Sequence, residues 1–272
     1  MMTSAKQKKC KYCDGRGYVK NNAAQKVDLC DCIKRQCKCS GEDNYMYYDK
    51  DINAYRQCIC RNYAFRINKI NKIYKEADIP RNYQWKFIED IEMIDNDKKG
   101  IPNISEFLEI IEQTLVNYED IRKRRGLLLW SELTGNGKTL AAAIILNTLV
   151  FNFGIAAKFL KLSSDYFGML KKTYSNIDES EINVIKKLID YDVLVIDDFG
   201  TQRSTEWENE KLYELIDGRN DSKKMTIITS NNNFEKIEET ALYDRILSRI
   251  MEMCVIYKVK TPCYRQKFLI KK

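Results

Sequence analysis

The chain has 272 residues, of which 44% are hydrophobic and 31% are charged. This composition excludes a largely disordered chain, and the length accommodates one ordinary domain with a smaller appendage. The first residues lack the apolar stretch of a signal peptide, and no segment approaches the roughly 20 apolar residues of a membrane helix, so we expect a cytoplasmic protein.

Basic residues and cysteines are concentrated at the N-terminus. Residues 1–40 contain ten Lys or Arg against three Asp and carry the whole net charge of +7. Eight of the ten cysteines form four close pairs there: Cys10, Cys13, Cys30, Cys32, Cys37, Cys39, Cys58 and Cys60. A C-x-x-C or C-x-C pair on a tight turn can bring two thiolates to one tetrahedral ion at about 2.3 Å. Because the chain has no histidine, the pattern predicts up to two all-cysteine Zn²⁺ sites.

Two ligand groupings fit this spacing. The first joins the pairs Cys10, Cys13 and Cys30, Cys32 on one ion and the remaining four cysteines on another. The second joins Cys10 and Cys13 with Cys58 and Cys60. We take the first as the working hypothesis and leave the second open. Each Zn(Cys)₄ centre carries a net charge of about −2, so the basic segment is weaker support for nucleic-acid binding than its sequence charge suggests, and a solvated surface is the alternative.

The middle of the chain predicts a helical connector. Apolar residues recur at helical spacing over residues 61–80, up to Pro80, and again over 104–121, with a loop at 95–103 between them. We therefore predict three parts: a zinc-binding domain over 1–62, a connector over 63–103 and a larger domain over 104–272, which the following motifs characterise.

From Gly126 onwards, buried strands alternate with helices, which predicts an α/β fold with a parallel sheet. A strand over 126–130 runs into a glycine-rich loop and then into a helix over 140–153, which is the setting of a P-loop. The residues predicted to bind ATP there are Thr134, Gly135, Asn136, Gly137, Lys138 and Thr139. In this reading Lys138 contacts the β- and γ-phosphates and Thr139 ligates Mg²⁺. The pattern departs at Glu132, where a complete P-loop motif has glycine.

Polar residues follow two further predicted strands. The apolar run over 193–196 ends in Asp197 and Asp198, and the run over 225–229 leads to Asn231. Parallel strands deliver their carboxyl ends to one sheet edge, so Asp197 is predicted to hold Mg²⁺ and Asp198 to orient the attacking water. Asn231 is predicted to sense the γ-phosphate, with a simple Asx-turn as the alternative.

These residues resemble the AAA+ ATPases that load the replicative helicase in bacteria and phages, of the DnaC and DnaI type, which are related to the IstB transposition ATPases. The resemblance rests on the P-loop, on 193–200, on 229–231, on 244–250, on the N-terminal cysteines and on 77–80. It implies an AAA+ domain with a reduced C-terminal lid. By position it assigns Arg249 as an arginine finger, Arg245 as a second finger candidate and Arg265 as sensor 2.

The resemblance also implies partners. These are a replicative helicase hexamer, single-stranded DNA and further copies of the chain in an ATP-dependent oligomer. The stretch over 158–174 interleaves aromatic residues with lysines, which is what single-strand binding requires, but core aromatics on an amphipathic helix would give the same pattern. Two other functions stay open: an ATPase helper of a transposase, and a non-catalytic adaptor that binds ATP and zinc.

Overall fold

A computed structural model of the protein describes residues 10–40, 44–91, 103–120, 125–174, 180–200, 205–233 and 241–263. The chain divides between Lys75 and Glu76 into two compact units. The two units are distinguished by their separate internal packing. The domain boundaries at 62 and 103 remain predictions from the sequence.

The first unit contains two antiparallel hairpins and one long helix. Its elements are β1 (Tyr18–Asn21), β2 (Lys26–Leu29), α1 (Asp31–Lys34), β3 (Met46–Asp49), β4 (Ala54–Gln57) and α2 (Cys60–Glu76). Strand β1 pairs with β2, and β3 pairs with β4. The predicted helix over 61–80 ends at Glu76, before Pro80, because the chain enters a left-handed conformation at Asp78, with φ of 51°.

Helix α2 packs against the first hairpin through specific contacts. The Asn71 side chain pairs with the backbone of Val27, donating to its carbonyl at 3.0 Å and accepting from its amide at 2.8 Å. Gly17 has a φ of 78°, and a Cβ there would lie 2.2 Å from the Tyr63 ring, so only glycine fits beneath that ring. The buried face of α2 is thereby fixed on the hairpin.

The second unit is an α/β domain with a five-stranded sheet. Its elements are α3 (Ile104–Asn117), β5 (Gly126–Trp130), α4 (Lys138–Phe153), β6 (Ala157–Lys161), a π-helical turn (Leu162–Tyr166), α5 (Phe167–Thr173), α6 (Glu181–Asp190), β7 (Val193–Phe199), α7 (Glu206–Asp221), β8 (Met225–Ser230), α8 (Ala241–Met253) and β9 (Cys254–Lys258). The sheet order is β6-β7-β8-β5-β9, and every pair is parallel. The predicted α/β fold class with a central parallel sheet is confirmed. Among the described residues, no helix has the length and apolar character to cross a membrane.

Both faces of this sheet are covered. Side chains alternate along each strand, so Leu128, Leu194 and Ile228 join one apolar cluster that also contains residues of α6, α7 and α8. Helix α4 is buried around most of its circumference and contacts β7 and β8. Burial on both faces explains why the strand sequences are continuously apolar.

The segment that follows α2 belongs to the second unit. Asn147 of α4 donates from Nδ2 to the carbonyls of Tyr83 and Lys86, at 3.0 and 2.9 Å. The Phe87 ring packs edge-on against Trp85 and Phe151, with centroids 5.5 and 6.0 Å away. Residues predicted as part of a helical connector are thus fastened along α4.

Arg219 is buried in the second unit with no exposed surface. Its guanidinium donates to the carbonyls of Leu188, Ile189, Tyr191 and Met225 and to the Thr226 hydroxyl. These bonds connect the end of α6 to the start of β8. Burial lowers the pKa of Arg219 to about 9.

Candidate functional site

The loop after β5 has the backbone conformation of a phosphate-binding turn. Strand β5 ends at Trp130, and Gly135 and Gly137 have φ of 72° and 97°, values that favour glycine. Gly137 is the N-cap of α4, so the loop leads directly into a helix N-terminus. Glu132 is not among the described residues with positive φ, and its backbone therefore does not demand glycine.

Lys138 is held over this loop by oxygen atoms. Its Nζ donates to the carbonyls of Ser131 and Leu133, at 3.2 and 2.7 Å, and to Asn136 Oδ1 at 3.0 Å. The ammonium is therefore positioned at the start of α4, where the helix dipole and the charge both favour an anion.

Asn136 ties the loop to the segment that follows β9. Its side chain is fully buried and donates from Nδ2 to the Val259 carbonyl at 3.2 Å. The backbone carbonyl of Asn136 accepts from the Thr261 hydroxyl at 2.7 Å. The Asn136 side chain is thus engaged in holding the loop's shape.

Asp197 sits at the centre of the sheet edge. Its Oδ1 accepts from the Thr139 hydroxyl at 2.9 Å and from the Thr229 hydroxyl at 2.6 Å. Burial raises the pKa of Asp197, these hydrogen bonds oppose the rise, and the neighbouring charge of Asp198 adds to it. The carboxylate thus joins the P-loop helix to strand β8.

Asp198 occupies an unusual backbone position. Its φ is 61°, and the pairing of β7 with β8 shifts register between Ile196 and Phe199. The Asp198 amide donates to the Thr229 hydroxyl at 3.1 Å. A left-handed residue at a candidate site is a form of local strain that neighbouring contacts must hold.

One cavity of about 410 Å³ brings the predicted residues together. It is lined by Thr134 to Thr139, Asp197, Asp198 and Asn231, and also by Pro80, Asn82, Tyr83 and Lys161. Sequence reasoning missed the last four. Lys161 is the last residue of β6 and lies at the same sheet edge. The apolar run of β6 is too short to have been recognised as a strand from the sequence. Pro80, Asn82 and Tyr83 reach the cavity only through the long-range packing of their segment on α4.

The polar groups that line the cavity fit a magnesium ion and a nucleoside triphosphate. Hydroxyl and carboxylate oxygens, here of Thr139 and Asp197, are the ligands that Mg²⁺ prefers. The ammonium groups of Lys138 and Lys161 supply positive charge for phosphate, and the Tyr83 ring lines the same cavity.

The predicted arginines lie elsewhere. Arg249 on α8 forms ion pairs with Asp217 at 2.7 Å and with Glu252 at 3.1 Å, and its side chain is 38% exposed. Arg245 lies one turn earlier on α8 and is exposed. Neither residue lines the cavity of its own chain. Arg265 lies outside the described residues.

The eight N-terminal cysteines form two groups of four. Sulfur atoms of Cys10, Cys13, Cys30 and Cys32 lie within 4.8 Å of one another, as do those of Cys37, Cys39, Cys58 and Cys60. This is the first of the two groupings that the spacing left open.

The sulfur distances fit a tetrahedral metal. A tetrahedron with bonds of about 2.3 Å has edges of about 3.8 Å, and the Sγ pairs Cys10–Cys30 and Cys13–Cys32 are 3.9 and 3.6 Å apart. In the second group, Cys58 and Cys37 are 3.7 Å apart. These distances are far longer than a disulfide bond of about 2.05 Å. Both groups are compatible with zinc.

Backbone amides prepare a thiolate in each group. Hydrogen bonds from the amides of Tyr12 and Cys13 lower the pKa of Cys10 to about 7. Burial raises the pKa of Cys58, but the amides of Cys60, Lys38 and Cys39 outweigh it and lower that pKa to about 6. A thiolate is the form of cysteine that binds metal.

The stretch over 158–174 is largely core. Phe159, Tyr166 and Phe167 are buried, which matches the core alternative and removes them as a stacking surface, whereas Tyr174 is 70% exposed. Lys171 forms an ion pair with Glu208 at 3.1 Å, and its ammonium lies 5.8 Å from the Trp207 ring centroid.

Comparisons with known proteins agree with this geometry. A family profile described as IstB-like ATP binding protein matches residues 109–271. The replicative helicase loader DnaC of Escherichia coli strain K12 is 30% identical over 122 residues, which are 45% of this chain and 49% of that protein. The chain thus spans about half the length of this relative.

Two further comparisons cover more of the chain. The phage-like element PBSX protein XkdC of Bacillus subtilis strain 168 is 23% identical over 243 residues, which are 84% of this chain and 81% of XkdC. The crystal structure of DnaI has a TM-score of 0.54 and 19% identity, and covers 67% of this chain and 95% of that chain. The latter shows a shared fold.

The raised pKa of Asp197 generates a stability prediction. The pKa of Asp197 in the folded state lies above the ordinary 3.8, so the folded protein favours the protonated carboxyl group. This contribution to the free energy of unfolding is fully present below pH 3.8 and is lost as the pH rises through the folded-state pKa. At pH 7 without magnesium the buried charge is therefore destabilising. We expect Asp197→Asn, which keeps an oxygen for both threonines, to raise the free energy of unfolding measured with urea.

The matched control is Asp190→Asn, which removes an exposed carboxylate from α6. We expect it to change the free energy of unfolding by less than about 0.5 kcal/mol. If Asp197→Asn were less stable than the parent at pH 7, the ionised carboxylate would be a net stabilising group.

Proposed function

We propose that this chain, which belongs to the family of IstB-like ATP binding proteins, hydrolyses ATP. We further propose that it loads a replicative DNA helicase onto single-stranded DNA. One observation carries the ATPase part: the Asp197 carboxylate joins Thr139 and Thr229 in a cavity that Lys138, Asp198 and Asn231 also line. The similarity to DnaC supports the loader part.

Each residue has a role in this proposal. Lys138 binds the β- and γ-phosphates, Thr139 and Asp197 hold Mg²⁺, and Asp198 orients the attacking water. Mg²⁺, when bound, neutralises charge that develops on the phosphate oxygens. Asn231 donates to the γ-phosphate from the end of β8. The backbone amides of 134–139 complete the phosphate cradle.

The remaining parts of the proposal concern assembly. Arg249 serves as the arginine finger for a neighbouring copy, which makes the active form an oligomer, with Arg245 as the second candidate and Arg265 as sensor 2. The cysteine unit, with two zinc ions, holds the helicase. Metal-bound thiolates require a reducing compartment, which fits a cytoplasmic location.

A second candidate function is an ATPase helper in transposition. The match of residues 109–271 to the IstB-like profile favours it, because that profile covers more of the chain than the DnaC match does. The two candidates share the ATP chemistry and differ in the partner protein.

The ATPase proposal predicts a separation of binding from turnover. Lys138→Ala should abolish ATP binding, because it removes the phosphate ligand. Asp198→Asn should keep ATP binding but lower turnover by roughly 10²- to 10⁴-fold, since it removes the water-positioning carboxylate. Asparagine also tolerates the left-handed backbone at this position, so the variant preserves the fold. Binding is measured by calorimetry and turnover by phosphate release; equal loss of binding in both variants would contradict these roles.

The finger proposal predicts complementation between two inactive variants. Arg249→Ala should bind ATP but hydrolyse it roughly 10³- to 10⁵-fold more slowly, as fingers in other P-loop enzymes do. Mixing it with Asp198→Asn should restore part of the activity, because some interfaces then pair an intact Asp198 with an intact Arg249. A mixture no more active than its parents, with subunit exchange verified, would show that Arg249 acts within its own chain or serves only in packing, and Arg245 would become the next candidate.

Because Arg249→Ala also removes ion pairs to Asp217 and Glu252, its free energy of unfolding is measured beside its activity. Arg245→Ala is carried through the same mixing experiment. Complementation by Arg245→Ala alone would transfer the finger role to that residue.

The loader proposal predicts which partner the chain retains. The chain with Asp198→Asn, loaded with ATP, should co-purify with the replicative helicase of its native host. Adding Cys37→Ser and Cys58→Ser should abolish this capture and lower the zinc content from about two ions per chain to about one, because it breaks one tetrahedral site. ATP binding should persist.

Cys263→Ser provides the matched thiol control, since Cys263 belongs to neither group of four. It should keep both zinc ions and the helicase. Recovery of a transposase in place of the helicase would favour the second candidate function.

A further inference from the structure

Helix α2 carries a line of cations and one aromatic ring on its exposed side. Arg61, Phe65, Lys69, Lys72 and Lys75 follow one another at spacings of three or four residues, which places them on one face of a helix. We name this set the α2 stripe. From Arg61 to Lys75 it extends for about 21 Å, at about 1.5 Å per residue.

The stripe is open to solvent while the opposite face of α2 is packed. Lys69, Lys72 and Lys75 are exposed, and Arg61 is half-buried. Ile67, Ile70 and Tyr74 are buried on the other side of the helix. The helix is thus anchored within its own unit and presents the stripe outward.

The stripe has a one-sided charge. Between Cys60 and Lys75 the helix contains no aspartate or glutamate, and its single acid is the final residue, Glu76. Cations in a row along one helix face repel one another, and a polyanion relieves this repulsion while releasing its counterions.

Phe65 indicates which polyanion fits. Its side chain is 56% exposed, although a phenylalanine gains most when it is covered. The Arg61 guanidinium lies 5.5 Å from its ring centroid, and the Tyr45 ring packs at 5.8 Å. The ring is therefore held in place with part of its surface open.

From this combination we infer that the α2 stripe binds single-stranded DNA, with the lysines on phosphates and the Phe65 ring stacked on a base. An open aromatic ring beside a row of cations is the arrangement that single-strand binding uses. An acidic protein surface is the competing occupant and is separated by the test below, whereas a duplex keeps its base faces stacked inside and offers the ring no partner.

This inference deepens the proposed function, because it assigns the DNA contact of a loader to the cysteine-containing unit. It does not depend on ATP turnover. In the other candidate stretch Phe159, Tyr166 and Phe167 are buried, and the exposed Tyr174 packs against the Trp207 ring, with centroids 6.3 Å apart. Loss of DNA binding and loss of hydrolysis are therefore measured separately in the same full-length protein.

The test is fluorescence anisotropy with a labelled oligo(dT) strand of 30 nucleotides, titrated with the full chain at several salt concentrations. Lys69→Gln with Lys75→Gln should weaken binding and reduce the salt slope of log K by about 1.4, since each lost phosphate contact contributes about 0.7. The matched control, Lys186→Gln with Lys187→Gln, removes two exposed lysines from α6 and should leave the slope unchanged.

Phe65→Ala should weaken binding by about 5- to 150-fold with little change in the salt slope, and Phe65→Trp should retain it, because stacking needs a ring. Zinc content and ATP hydrolysis should match the parent in all four variants. Equal affinity in parent and stripe variants, or an equal loss in the Lys186 and Lys187 control, would overturn the assignment. A third outcome would also overturn it: the parent chain does not bind the oligonucleotide, and the stripe variants lose helicase capture. That result would assign the stripe to an acidic protein surface.

Discussion

A single carboxylate oxygen, Oδ1 of Asp197, fixes the geometry on which the nucleotide cavity depends. A buried carboxylate needs hydrogen-bond donors, and this one takes them from Thr139 and Thr229. The sheet order puts β8 between β7 and β5, so the two hydroxyls bring the P-loop helix and strand β8 to the same atom. The register of the strands therefore sets the positions of the P-loop and of Asp198. Burying the Asp197 carboxylate costs free energy of folding, and this cost comes with forming the site.

The central strands and the P-loop could be predicted because their signals are local. Continuous apolar runs mark β5, β7 and β8, and the glycines at 135 and 137 mark the turn between strand and helix. The segment over 77–91 could not be placed, since it is positioned by contacts with Asn147 and Phe151, which lie far along the chain. Helical periodicity likewise could not separate a buried Tyr166 from a stacking one, because both readings place it on the same helix face.

The first unit builds part of its core from thiols. Cys39, Cys58 and Cys60 are buried together with Ile33, and partly buried tyrosines pack around them. A unit of this size has little apolar surface to bury, so zinc held by the two cysteine groups would couple metal ligation to folding. Spacing left the ligand grouping open because it constrains only neighbours in sequence, whereas the grouping is set by how the two hairpins bring distant pairs together.

The three tryptophans of the chain, Trp85, Trp130 and Trp207, all belong to the second unit, whereas the clustered thiols belong to the first. Indole emission therefore reports on the nucleotide-binding unit alone. Cobalt(II) placed in the two cysteine groups would absorb visible light through its thiolate ligands and so report on the other unit. A single sample would then carry two independent optical signals, and the order in which the two units melt could be read from one heating experiment.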